Sequence, residues 1–273
     1  ATSVSLLCLT PQEPAKNLNY LSRLMMSRLY KYRAYNTNSL DMLINREFYF
    51  SDPEHLNDPF DCQISISKSV EEAVEYAEKT AQHSVKSKLS KLIKLNDLYS
   101  KIERDAKSCG ILSFSKYENN ILMWSHYSDE HRGFCLGFDL SQKFTKHNKE
   151  YQIIGTSDVY YCETDPFFDF FMGIAESEHR PRWDDFWLPL LNRAVIAKSE
   201  AWKYEDEVRV VRKESGPVSF DQKELVEVIF GLKTPKKNEE TIRAILKEKE
   251  WQHIKYKRVI HKGNGFILEI VDA

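Results

Sequence analysis

Strand-like runs recur along this chain at irregular intervals, and the helix-like stretches between them do not alternate with them one for one. Leu29-Tyr-Lys-Tyr-Arg33, Phe48-Tyr-Phe-Ser51, residues 110–115, Phe134-Cys-Leu-Gly-Phe138, 205–212, 224–231, 253–260 and 265–271 are rich in β-branched and aromatic residues, and 151–162 should pair as further β-structure. Helical spacing falls at 13–28, behind the capping side chains of Asn36-Thr-Asn-Ser39, at about 68–108, around Ile121–Tyr127, at about 163–196 and near 238–249. A doubly wound parallel sheet needs a crossover helix between successive strands. This order does not supply one, so the expected class is α+β. One domain over 1–273 is expected, with helical insertions at about 68–108 and, rich in aromatics, at about 163–196.

Composition narrows the function classes. The formal net charge is -2, so no global basic field advertises nucleic acid as a partner. Five widely spaced cysteines (Cys8, Cys62, Cys109, Cys135, Cys162) form no Cys-x-x-Cys pair, which argues against a disulfide framework or a zinc site and for a reducing compartment. No apolar run reaches the ~18 residues of a membrane span, and Ala1–Leu9 lacks the basic region and cleavage site of a leader. A cytoplasmic protein is expected, with delivery into another cell left open. Walker, Gly-x-Gly-x-x-Gly and Gly-x-Ser-x-Gly motifs are all missing.

Three strand-like segments carry the chemistry. Side chains two apart on a strand share a face, so Ser113 pairs with Ser115, and Glu205 with Glu207 and Arg209. The carboxylates form either the wet side of a half-buried strand or a group that faces a cationic transition state. In the second case Glu207 stabilises charge at a sugar C1′ and Glu205 receives a proton. The two hydroxyls either coat a strand or hold a ribose and orient a carboxylate. Arg33 suits either a surface ion pair or bidentate contact with phosphate. Asn57-Asp-Pro-Phe-Asp61, with His55 nearby, reads as a stiff turn in preference to a metal site. Trp124 and Tyr127, three apart on a helix, serve either core packing or ligand contact, and the aromatics of 167–187 either core, lid or stacking. Lys233, Lys236 and Lys237 read as a solvated loop.

Two resemblances follow from these residues. Tyr30–Arg33, Asn57–Asp61, Trp124–Tyr127 with Gly133–Asp139, and Lys198…Trp202–Arg209 together resemble the widespread bacterial DUF2971 family, whose function is unknown, from about Leu29 to Ile270. More distantly, an aromatic-Arg strand, a Ser-x-Ser strand and a Glu-x-Glu strand in that order resemble the Arg–Ser–Glu class of ADP-ribosyltransferases. That resemblance implies a split mixed β-core with NAD+ as substrate in an extended cleft and no metal. Arg33 would hold the pyrophosphate or adjacent ribose. Ser113 and Ser115 would order the nicotinamide ribose, Glu207 would be the catalytic carboxylate and Glu205 the acceptor-directing one. Tyr30, Tyr32, Asn57, Asp58, Trp124 and Tyr127 complete the expected NAD+-contacting set. The chain departs from the pattern in its spacings of about 80 and about 90 residues between blocks, which demand insertions. Ser-Phe-Ser also stands where Ser-Thr-Ser is familiar, and no aromatic-rich turn before the glutamate pair is evident.

The leading expectation is therefore a mono-ADP-ribosyltransferase acting on a protein or nucleic-acid acceptor, as a toxin or phage-defence effector with an inhibitor or antitoxin as partner. The rival is a non-catalytic nucleotide- or nucleic-acid-binding sensor. A third reading is a metal-dependent nuclease using Asp58, Asp61 and Glu207.

Overall fold

The computed structural model describes residues 28–63, 65–177 and 184–273. The helix expected over 13–28 lies outside the described residues except for Arg28, as do Cys8 and Trp183. In chain order the elements are β1 (Leu29–Arg33), α1 (Thr37–Asn45), β2 (Glu47–Phe50), α2 (Ile66–Thr80), α3 (His83–Leu92), α4 (Asn96–Ser108), β3 (Gly110–Ser115), α5 (Ile121–Tyr127), β4 (Phe134–Phe138), α6 (Gln142–Thr145), β5 (Ile153–Asp158) and β6 (Tyr160–Cys162). There follow α7 (Phe168–Glu176), α8 (Asp184–Ile196), β7 (Ala197–Ser199), β8 (Glu207–Arg212), β9 (Gly216–Ser219), β10 (Leu225–Phe230), α9 (Lys236–Ile245), β11 (Lys255–Lys262) and β12 (Ile267–Asp272).

The architecture is α+β. Eight strands form one mixed sheet in the order β12-β11-β10-β4-β1-β3-β8-β5, and β2–β9 and β6–β7 make two small ribbons. Within the large sheet only β10–β11 is parallel; the other neighbours run antiparallel. The period-2 pattern of β3 sorts its side chains as expected. Leu112 and Phe114 join a core with Leu29, Leu136, Phe138, Val208 and Val210, whereas Ile111 joins Val211 beneath the helices. Phe48 of β2 closes the first core, its ring centroid 4.9 Å from Phe138 and 5.6 Å from Phe114. At the start of α1 the Asn36 side chain accepts from the Ser39 N–H at 3.0 Å, as the capping reading expects.

Both expected insertions are helical, α2–α4 and α7–α8, and they pack on each other and on the sheet. Phe167, Phe170, Phe171 and Phe186 are buried in that packing, so these four rings are core and not a stacking lid. No helix among the described residues is long and apolar enough to cross a membrane.

One junction in the sheet differs from the rest. β1 is paired along its whole length with β4, and β3 with β8, but β1 and β3 meet at a single rung, Tyr30 opposite Ser115. Beyond it no ladder joins them. The Lys31 side chain reaches over instead, its amine donating to the Ser113 carbonyl at 2.9 Å.

Glu205 corrects the strand expectation. It ends a 3-10 turn (Glu200–Glu205), Asp206 takes a left-handed conformation at φ 43, and β8 begins only at Glu207.

Candidate functional site

Two cavities meet where β1 and β3 part. One, of about 460 Å³, is walled by β1, α1 and β2; the other, of about 160 Å³, reaches toward β8. Lys31, Arg33, Leu56 and Ser113 line both, so the two form one cleft.

Its first wall is cationic. Lys31 and Arg33 alternate with Tyr30 and Tyr32, and the rotation of a strand turns the pair to the same side. The Arg33 Nε donates to the Ser39 hydroxyl at 3.1 Å, and no carboxylate among the described residues pairs with its guanidinium. Lys31 likewise makes no ion pair there; besides Ser113 its amine lies 5.4 Å from the Phe114 ring. Burial, and then the charge of Arg33, push the Lys31 amine down to about 7 against an opposing pull from Glu207.

The second wall is a buried ionic chain. Arg209, 1% exposed, donates through Nε to Glu207 Oε1 at 2.8 Å and through Nη1 to Asp61 Oδ1 at 2.9 Å and to the Val195 carbonyl at 2.7 Å. Lys198 donates to Glu207 Oε2 at 3.1 Å and also bonds Glu205. The Tyr127 hydroxyl donates to Glu205 Oε1 and accepts from the Asn57 amide at 2.6 Å. Three carboxylates thus face two cations, leaving one net negative charge when all are ionised.

The two glutamates are pushed apart. For Glu207 burial acts upward, but Arg209 and then Lys198, with the Ser113 hydroxyl assisting, hold the carboxyl well below the usual range. For Glu205 burial also acts upward, the neighbouring Glu207 adds to it, and Lys198 and Tyr127 only partly compensate, so its pKa is raised. Burial and the bond to Glu205 likewise raise Tyr127. One group is fixed as an anion and its neighbour is a readier proton acceptor.

The cleft therefore gathers Arg33, Ser113, Ser115, Glu205, Glu207, Asn57 and Tyr127. Tyr30 and Tyr32 reach the smaller cavity but belong to a core beneath it, where the Tyr32 hydroxyl donates to the Tyr117 carbonyl at 2.8 Å. Three expectations need correction. Glu205, Glu207 and Arg209 are not a wet strand face: all are buried, with Lys198 joining the two glutamates and Arg209 bonded directly to Glu207. Trp124 is 0% exposed, lies edge-on to Tyr32 at 5.2 Å and lines neither cavity, which makes it core. Asp58 lines neither cavity and accepts the Phe60 N–H at 2.9 Å, the side-chain turn that Asn-Asp-Pro-Phe allows. Asp61 and Glu207, two members of the nuclease trio, converge on the Arg209 guanidinium, which occupies the space between them.

Lys31, Lys198 and Arg209 line the cleft in addition to the residues that the sequence analysis expects there. Lys31 had a signal, since it lies two residues before Arg33 on its face. Lys198 had none beyond belonging to the Lys198…Arg209 run, because its contact with both glutamates depends on the 3-10 turn folding the chain back.

No curated protein and no solved structure matches the chain. Residues 123–210, which carry Tyr127, Lys198, both glutamates and Arg209, match the family model described as protein of unknown function (DUF2971), and over that stretch the chain is DUF2971-like.

Proposed function

We propose that the cleft binds NAD+ and transfers its ADP-ribose to an acceptor. The observation that carries this reading is the polarity of the cleft: Arg33 and Lys31, free of carboxylate partners among the described residues, stand across from a buried cluster of net negative charge. NAD+ has the matching asymmetry, an anionic pyrophosphate and a ribose that becomes cationic as nicotinamide leaves. The parting of β1 and β3 supports a split β-core of the ADP-ribosyltransferase kind, since it opens the sheet between the arginine strand and the serine strand.

In this reading the Arg33 fork holds the pyrophosphate, and Ser113 and Ser115 hold the nicotinamide ribose. The C1′–N bond breaks, its electron pair staying with the nicotinamide ring, and the anionic Glu207 faces the cation left at C1′. An acceptor hydroxyl or amine then forms its bond to C1′ and yields its proton to Glu205, whose raised pKa suits that role. Purified protein mixed with labelled NAD+ and candidate proteins or nucleic acids should transfer label or release nicotinamide. Glu207→Gln should lower the rate by roughly 10²–10³-fold, the scale of losing one preorganised electrostatic contact. Absence of both products with every acceptor would overturn the transferase.

A second reading, nucleotide binding without turnover, is favoured by the ion pairs that already occupy Glu207. It predicts that NAD+ raises the unfolding temperature with no product formed.

A further inference from the structure

We propose that Lys31 is a nucleophilic amine that captures the carbonyl carbon of small aldehydes or ketones bearing a phosphate, with Arg33 as the phosphate anchor and the larger cavity as the seat. Three features meet here. The amine lies at the gap between β1 and β3 and lines both cavities. Among the described residues its amine donates to the Ser113 carbonyl alone, which takes one N–H and needs no positive charge. Two residues along the strand, the Arg33 guanidinium is bound among the described residues through Nε alone, which leaves its remaining N–H groups to an anion. A cavity of about 460 Å³ suits a ligand of that size.

The protonation state of the amine agrees with this geometry. With a value of about 7, about half the amine is neutral at neutral pH, against roughly a few in ten thousand for an ordinary lysine. Desolvation beside another cation is a recognised way to activate a lysine. Arg33 on the same strand pushes the amine toward neutrality; Glu207 of β8 pulls the other way. Asp41 of α1 and Glu47 of β2 stand on the cavity wall.

The chemistry balances without any further reagent. The amine nitrogen bonds to the carbonyl carbon, the oxygen takes up a proton, and the resulting carbinolamine loses water to leave a C=N bond. Hydrolysis reverses it. The inference does not depend on NAD+, so its failure and that of the transferase reading are separable.

The test is to incubate the full chain with pyridoxal 5′-phosphate near pH 7.5, trap imines with borohydride and map the modified peptide. We expect label at Lys31, near one equivalent per chain, at concentrations that leave the other lysines largely unmodified. 5-Deoxypyridoxal, which lacks the phosphate and cannot close to an internal hemiacetal, should need at least about 10-fold higher concentration, and Arg33→Gln should erase that difference, as loss of a charge-assisted contact requires. Mapping on the wild type decides the outcome even if Lys31→Met fails to fold. Label scattered over other lysines with Lys31 unmodified would overturn the nucleophile. Equal labelling of Lys31 by the two aldehydes would overturn the anchor.

Discussion

Arg33 and Arg209 are the same residue type in opposite circumstances, and they should respond oppositely to replacement. Arg209 is fully enclosed and divides five N–H donors among Asp61, Glu207 and the Val195 carbonyl. Arg209→Gln leaves two buried carboxylates short of counter-charge and should cost about 3–5 kcal/mol. Arg33 is desolvated with no counter-ion among the described residues, so Arg33→Gln should change stability by less than about 1 kcal/mol while weakening nucleotide binding. Chemical denaturation and NAD+ titration of the two variants read these effects side by side; equal stability losses would contradict the contrast. From the sequence, Arg33 is legible because strand periodicity sets it, with Lys31, on the face opposite Tyr30 and Tyr32. The depth of Arg209 was not. A Glu-x-Glu-x-Arg strand reads as solvent-facing unless one knows that Asp61, over a hundred residues upstream, is brought to it.

At the level of elements, the approach of Glu205 to Lys198 depends on a reversal of the chain. The 3-10 turn Glu200–Glu205 stops at Asp206, whose φ of 43 and ψ of 50 lie in the left-handed region, where an aspartate is tolerated and a β-branched residue is not. Asp206→Val should cost about 1–2 kcal/mol and move Glu205 away from Lys198, whereas Asp206→Gly should stay within about 1 kcal/mol of the wild type. Thermal unfolding of both variants checks the order, and equal destabilisation would remove the conformational argument. The run of β-branched residues from Val208 suggested a strand beginning at Glu205. The register was right from Glu207 onward, and the error lay in the two residues where tertiary packing overrides local propensity. The α5 aromatics show the same limit. Helical spacing correctly made Trp124 and Tyr127 neighbours, yet only the sheet beneath decides that Trp124 is enclosed and Tyr127 reaches Glu205.

Across the whole molecule, the balance of protons between folded and unfolded chains should carry the mark of the cleft. The Lys31 amine titrates near 7 when folded and near 10.4 when unfolded. Between those values the unfolded chain holds a proton that the folded chain has shed, so stability rises with pH. The rise is read most cleanly from about pH 7 to about 8.5, because above that the thiols of the unfolded chain ionise while burial keeps Cys62 and Cys109 protonated in the fold, an effect of opposite sign. Unfolding temperature should increase over that interval in the wild type and stay flat in Lys31→Met; the same slope in both would assign the effect elsewhere. The mixed α+β class was readable from the irregular order of strands and helices. The single rung between β1 and β3 was not, because pairing of strands some eighty residues apart leaves no local trace.

That rung, and the chain of charges beside it, bear on what the family-matched stretch can be. Residues 123–210 contain β4 without β1 or β10, and the first four residues of β8 without β3. They bring Arg209 without Asp61 and Tyr127 without Asn57. Excised, such a piece would expose raw strand margins and leave the buried Arg209 guanidinium with Glu207 but without Asp61. Its shared sequence marks a cross-section through a sheet whose partner strands lie before and after it, from β1 at Leu29–Arg33 to β10 at Leu225–Phe230.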